Sequence, residues 1–179
     1  DVCAAPGGKT FTIAQAMQGT GEVAAFDLYP GKVRLIQQGA QRLGLLNVHA
    51  AQRDAASPGE ALPPADRVLC DAPCFGLGIL RRKPEIRYKS KESIDSLPDL
   101  QYGILCKSAS LVRPGGVLLY STCTLNPAEN GKNAARFLEE HPAFCALPLS
   151  LPQGVERVLD EPENQLTLFP QGQTDGFFI

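Results

Sequence analysis

DVCAAPGGKT, residues 1–10, joins the tail of an apolar strand to a turn rich in glycine and proline and then to the start of a helix. Strand, glycine turn, helix is the arrangement that presents backbone N–H groups and a helix N-terminus to a nucleotide or another anion. Working outward, the alternation continues. The helix is expected over 9–17, and EVAAFD, 22–27, reads as a short buried strand. Residues 32–43 have helical spacing, with Val33, Ile36, Ala40 and Leu43 on one face, and Gly44 is placed to cap that helix. NVHAA, 47–51, is a third strand; Pro58, Pro63 and Pro64 mark a loop; 67–71 is a fourth strand, followed by a long loop. A helix over 98–112 is expected to stop before Pro114, which cannot continue it. Residues 116–121 form a fifth strand, a helix runs from Pro127, suited to a first turn, to Glu140, and GFFI, 176–179, begins a last strand. Strands separated by helices predict a parallel, doubly wound α/β sheet in one domain, 1–179, with no repeats. Both ends read as cut inside a strand, so a longer parent chain is expected.

Hydrophobic residues make up 44% of the chain and charged residues 20%, the balance of a folded globular domain. No apolar stretch approaches the roughly 18 to 20 residues that span a bilayer. The six cysteines, Cys3, Cys70, Cys74, Cys106, Cys123 and Cys145, include no CxxC pair, and two histidines give no zinc spacing, so no metal is expected. A chain of this size needs no disulfide staples, which favours a reducing, cytoplasmic setting. Cys70, Cys106 and Cys145 sit among apolar neighbours and are expected to be small core residues. The net charge of −2 excludes an all-round basic coat. Within RRKPEIRYKSK, 81–91, however, six residues are basic and one is acidic, a local +5 on a remainder of −7. Such an arm can grip a phosphate backbone, and a solvated charged loop would have the same composition.

Two ligand readings compete at the glycine turn. APGGKT resembles the end of a phosphate-cradling loop, but that loop needs a glycine where Cys3 stands, and Pro6 removes an N–H donor. The second reading is a cofactor containing adenosine. Asp27 ends the next strand, 19 residues after Gly8, where a carboxylate can bond ribose hydroxyls. Asp54 follows the third strand and Asp71 the fourth. Each acid alone could cap a loop or helix. Three acids at successive strand ends favour a cationic, hydroxyl-rich ligand, and S-adenosylmethionine carries a sulfonium, an ammonium and no phosphate.

DAPC, 71–74, and STC, 121–123, each place a cysteine just past an apolar run, so both thiols are expected at strand C-termini, the ligand-binding edge of such sheets. Carbon 5 of a pyrimidine is a weak nucleophile. A thiolate adding at carbon 6 makes an enamine and sharpens carbon 5 for attack on a methyl donor. That chemistry calls for a nucleophilic cysteine, a base and a group on the ring-nitrogen side, which Cys123, Cys74 and Asp71 could supply.

DVCAAPGGKT, DAPCFGLG followed by RRKPEIRYK, RPGGVLLYSTCTLNPAEN and the terminal TDGFFI together resemble the RNA cytosine-5 methyltransferases, most closely the bacterial branch that modifies small-subunit ribosomal RNA. The resemblance covers nearly the whole chain. It implies a Rossmann-like, seven-stranded, mostly parallel sheet of order 3-2-1-4-5-7-6 with the last strand antiparallel. It implies S-adenosylmethionine bound by Cys3, Ala4, Ala5, Pro6, Gly7, Gly8, Lys9, Asp27, Asp54 and Asp71. Cys123 becomes the nucleophile and Cys74 the residue that assists product release, with Asp71 and Lys9 beside the target base. DNA cytosine-5 enzymes use a Pro-Cys cysteine instead, which would select Cys74; STC at 121–123 tilts the choice to Cys123. RNA would be held by Lys9, Arg81, Arg82, Lys83 and Arg87, with the base flipped or unpaired, and Tyr88 could stack on a base or pack internally. The protein is expected to act as a monomer. Other RNA, such as transfer RNA, or a silent RNA-binding module are the alternatives. The chain departs from the family at Phe75, where a small residue is usual, and at Gly131, where a second acid often stands. The family's common N-terminal RNA-binding domain is absent from this stretch.

Overall fold

Three backbone hydrogen bonds decide where the first residues go. Val2 N–H donates to the Leu69 carbonyl at 3.0 Å, Phe26 N–H to the Asp1 carbonyl at 2.9 Å and Ala4 N–H to the Phe26 carbonyl at 2.7 Å. Residues 1–4 therefore lie between β1, Val23–Asp27, and β3, Ala65–Asp71. The structure is a computed structural model and describes residues 1–57, 59 and 61–179, without the side chains of 91 and 93. Pro58 of the expected loop and the Lys91 side chain of the basic arm lie outside the described parts.

The chain forms two compact units, 1–71 with 106–119 and 72–105 with 120–179. In the first, β1 pairs in parallel with β2, Val48–Gln52, in a register that sets Asp27 opposite Gln52. α1, Gly8–Ala16, and α2, Pro30–Leu43, follow the pattern read from the sequence. Pro30 opens α2, where its missing N–H costs nothing. Gly44 ends it in the left-handed conformation (φ 66°), its N–H bonded to the Gln41 carbonyl at 3.1 Å. Val33, Ile36 and Ala40 are buried, but Leu43 is exposed. At 100° per residue it falls at the edge of the apolar stripe, in the last turn. Ala4, Ala25 and Ile36 form the buried centre, with Phe11 against them. Burying Ile36 completely contributes about 1.5–3 kcal/mol. Phe11 fits because two residues lack a side chain. A Cβ on Gly7 or Gly39 would lie 2.3 or 2.4 Å from its ring.

β3 is hydrogen-bonded to β4, Val112–Ser121. β4 starts four residues earlier than expected. Pro114 supplies no N–H, yet Ala65 N–H donates to the Leu111 carbonyl and Arg113 Nε to Asp66 at 2.6 Å, pinning that start. α3, Lys91–Ala109, likewise begins seven residues before the expected Pro98 and ends three short. Pro98 sits inside the helix, its carbonyl accepting from Asn133 Nδ2 at 2.9 Å. Gln101, Ile104, Leu105 and Ser108 are its buried stripe.

In the second unit, two short 3₁₀ helices, Leu77–Ile79 and Pro84–Tyr88, occupy what was expected to be an open loop. α4 spans Gly131–Glu140 rather than starting at Pro127. Residues 126–130 make a turn instead, with Ala128 N–H on the Asn126 side chain (3.1 Å) and Asn130 N–H on the Pro127 carbonyl. β5, Thr167–Leu168, and β6, Phe177–Phe178, pair antiparallel, and Phe178 bridges antiparallel to Thr122. Among the described residues, no helix is long and apolar enough to cross a membrane.

Candidate active site

The glycine turn is tied to its own flanks. Asp1 accepts from Cys3 N–H at 3.3 Å and from Thr10 Oγ1 at 2.7 Å, so one carboxylate holds both sides of residues 3–10. Gly7 adopts φ 112° to turn the chain into α1, a conformation that a side chain would strain. Cys3, Ala4, Ala5, Pro6, Gly7, Gly8 and Lys9 thus sit together at the head of that helix. Lys9 Nζ bonds Asp71 Oδ2 at 2.7 Å. Asp27 is buried at the end of β1, with Tyr29 N–H at 3.2 Å and Lys32 Nζ at 3.8 Å from Oδ1. Its carbonyl accepts from Arg53 N–H, next to Asp54. Asp54 is exposed and holds a turn, accepting from Ala56 N–H (2.9 Å) and Ser57 Oγ (2.8 Å). The Ser57 hydroxyl, then the Ala56 amide, lower its pKa. The acids Asp27, Asp54 and Asp71 therefore follow three strands of one unit at their C-terminal ends. Burial pushes the Cys3 thiol up to about 12, which disfavours its thiolate.

In the second unit the two sulfurs singled out by sequence meet. Cys74 Sγ and Cys123 Sγ are 3.0 Å apart, and both residues are partly buried. The hydrogen bond to Cys123, then burial, push the Cys74 thiol well above its ordinary range. At that separation the two sulfurs share a hydrogen bond in which either can be the donor.

The loops that carry these thiols are fixed by residues that periodicity could not single out. Glu129 is wholly buried. Its Oε2 accepts from Phe75 N–H (2.9 Å) and Gln101 Nε2 (2.8 Å), and its Oε1 from Asn126 Nδ2 (3.1 Å) and, weakly, Thr124 Oγ1 (3.5 Å). Gln101 Nε2 also donates to the Pro73 carbonyl at 2.9 Å. Asn130 accepts from Thr122 Oγ1 (2.6 Å) and donates to the Thr124 carbonyl (3.0 Å), bracing both neighbours of Cys123. Behind Cys123, Gly78 N–H donates to its carbonyl (3.0 Å) and the Gly78 carbonyl accepts from Gly176 N–H (2.7 Å). The one available sequence signal was density: five polar side chains among the ten residues that follow a buried strand, each of which needs a partner once buried.

Phe75 is accommodated as a buried ring with Lys89 Nζ 4.9 Å from its centroid and 3.0 Å from its carbonyl. At Gly131 a Cβ would lie 3.1 Å from Gln165 Oε1, so a side chain there would press on that amide. The basic arm is divided. Arg81 donates to the Gly172 carbonyl (2.6 Å) and the Gln173 carbonyl, and Arg82 pairs with Asp175 at 2.7 Å. Lys83 and Arg87 are exposed, and Tyr88 is 89% exposed. Of the expected core cysteines, Cys70 is buried, with its thiol raised to about 12 by burial, and Cys106 is half-buried. Cys145 is exposed, a correction: it follows α4 in a stretch without regular structure, so its apolar neighbours in sequence close no core over it. Among the described residues, no group of three metal-ligating side chains comes together.

The model of a family described as 16S rRNA methyltransferase RsmB/F matches residues 1–179. A Bacillus subtilis (strain 168) protein named probable ribosomal RNA small subunit methyltransferase B is 43% identical over 185 residues, covering 100% of this chain and 41% of that relative. A ribosomal RNA small subunit methyltransferase F of Escherichia fergusonii is 38% identical over 184 residues, covering 100% and 38%. The crystal structure of NSun6 from Pyrococcus horikoshii with SFG, an analogue of S-adenosylmethionine, superposes with a TM-score of 0.87 at 31% identity, covering 99% of this chain and 45% of that one. The α/β architecture is thus the Rossmann-like fold of methyltransferases. The chain spans about two-fifths of the length of the two curated relatives.

Proposed function

The chain belongs to the RsmB/F family of 16S ribosomal RNA methyltransferases, and from that premise we propose that it transfers a methyl group from S-adenosylmethionine to carbon 5 of a cytosine in small-subunit ribosomal RNA. The observation that carries this reading is the pair of thiols 3.0 Å apart at the ends of two segments that follow buried strands. Cys123 adds as thiolate to carbon 6, and the enamine attacks the methyl carbon, leaving S-adenosylhomocysteine. The proton on carbon 5 departs to a base, and the Cys123–carbon 6 bond breaks to give 5-methylcytosine. Cys74 assists that release. Asp71, paired with Lys9 and three residues before Cys74 in the chain, holds the base.

Residues 3–9 with Asp27, Asp54 and Asp71 fit S-adenosylmethionine. They combine a tight turn at a helix N-terminus with acids for ribose hydroxyls and for the cationic amino-acid end. The same reading takes 1–179 as one catalytic domain working in the cytoplasm on RNA. Its sheet order is 3-2-1-4-5-7-6, counting residues 1–2 as the first strand and β1 to β6 as the second to seventh. Support for that order comes from the Val2, Phe26 and Thr122 backbone bonds. Thermal melting tests the cofactor. S-adenosylmethionine at about 100 times its dissociation constant is expected to stabilise the fold by about 2.7 kcal/mol, and ATP to leave it unmoved. Asp27→Ala should erase most of the shift. A shift with ATP alone would return the glycine turn to a phosphate loop.

For RNA, Lys83 and Arg87 are the arm's phosphate contacts, since Arg81 and Arg82 are tied to residues 172–175. Lys83→Ala with Arg87→Ala is expected to weaken binding for all sequences and to lower the log K against log salt slope by about 2. An unchanged slope would remove the arm from the interface.

A further inference from the structure

We infer that Glu129 is a positioning residue for Cys74, fixing the main chain on both sides of that thiol so that it reaches the covalent intermediate for product release. The inference rests on the cysteine roles proposed above. Cys74 lies in a short loop between Pro73 and Phe75, and both neighbours are anchored to the same acid. Phe75 is held directly, through its N–H at 2.9 Å. Pro73 is held through the buried Gln101, whose Nε2 lies 2.9 Å from the Pro73 carbonyl and 2.8 Å from Glu129 Oε2. The other carboxylate oxygen takes Asn126 Nδ2 at 3.1 Å and Thr124 Oγ1 at 3.5 Å, on the segment just after Cys123. One side chain therefore spans the loop of each thiol.

Stability alone does not account for an acid in this place. A wholly buried carboxylate is costly to desolvate, and well-packed apolar groups commonly serve a fold as well or better. What a carboxylate offers here is four acceptor directions, all met by donors and none by a donor of its own. A glutamine amide would turn an N–H₂ toward two of those donors. The charge also acts on the thiol: after the Cys123 hydrogen bond and burial, Glu129 adds to the effects that keep Cys74 protonated.

Glu129→Gln should therefore behave as a muted Cys74→Ala. With RNA and S-adenosylmethionine, first-turnover methylation is expected within about 3-fold of the parent. Multiple turnover should fall by ~10²-fold, the scale of a 1 Å misplacement, and a covalent protein–RNA adduct should accumulate. A merely structural role would lower first and later turnovers together and trap nothing. Gln101→Met, which leaves the acid and its bond to Phe75 but removes the link to Pro73 and one donor to Glu129 Oε2, should give a smaller adduct. It decides the matter if Glu129→Gln does not fold. Wild-type release by Glu129→Gln, or parallel loss of both phases in whichever variant folds, overturns the inference. Absence of adduct in Cys74→Ala itself would instead overturn the underlying cysteine roles.

Discussion

Cys123→Ala is expected to abolish methyl transfer, by at least ~10⁴-fold, because in the proposed mechanism its thiolate forms the bond to carbon 6. Cys74→Ala is expected to do something different. It keeps the proposed nucleophile and loses the group proposed to help expel it, so the protein should be trapped on its RNA. The trapped species is a denaturation-resistant band that needs both RNA and S-adenosylmethionine and carries one methyl per adduct. The double variant should give neither product nor adduct. The direction of these results follows from the roles proposed for the pair, whose sulfurs are 3.0 Å apart. If Cys123→Ala traps RNA and Cys74→Ala is inert, the roles are reversed, as in the Pro-Cys assignment.

Gly78→Ala is expected to be the most damaging single methyl in the second unit. Its new Cβ would lie 2.2 Å from the Gly176 carbonyl oxygen and 2.8 Å from that of Cys123. Both are main-chain atoms, so no side chain can swing away. The positions also exchange two hydrogen bonds, Gly78 N–H to Cys123 and Gly176 N–H to Gly78, which the displacement would break. A cost of about 3 kcal/mol or more is expected, lowering the melting temperature by about 6–12 °C for a chain of this size. Methylation should fall with it, since the carbonyl that moves belongs to Cys123, the proposed nucleophile. Gly103→Ala in α3 is the control. No atom lies within 4 Å of its Cβ position, and alanine favours a helix by about 1 kcal/mol, so the melting temperature should hold or rise. Equal behaviour of the two variants would mean that the Gly78–Gly176 contact does not constrain the fold.

The parts of the molecule legible from sequence are those where one local rule acts alone. α2 was readable because Val33, Ile36 and Ala40 keep the helical period, Pro30 opens it and Gly44 closes it. The glycine turn and the acids at 27, 54 and 71 were readable because strand ends and turn residues are marked by composition. Two prolines mark no helix boundary. Pro98, which reads as a helix start, lies inside α3, and Pro127, which suits a first turn, lies before α4. In each case a side-chain amide, from Asn133 or Asn126, sits at the proline or in its turn. For Pro98 the partner is too far away to leave a period to read, as 35 residues separate it from Asn133. The same limit hid the Glu129 network, whose bond to Phe75 spans 54 residues. Cys145 failed for a related reason: apolar neighbours along the chain do not bury a residue unless the fold brings others over it. The cysteines 74 and 123 could be nominated by their strand ends, but their 3.0 Å approach is a fact of tertiary structure.

Incubation with S-adenosylmethionine bearing a labelled methyl group and protein-free small-subunit ribosomal RNA, followed by digestion to nucleosides, tests the central claim most directly. The account predicts label in 5-methylcytidine, dependent on Cys123. Label in a base methylated on nitrogen or in a 2′-O-methyl nucleoside, or in 5-methylcytidine formed equally well by Cys123→Ala, would contradict it.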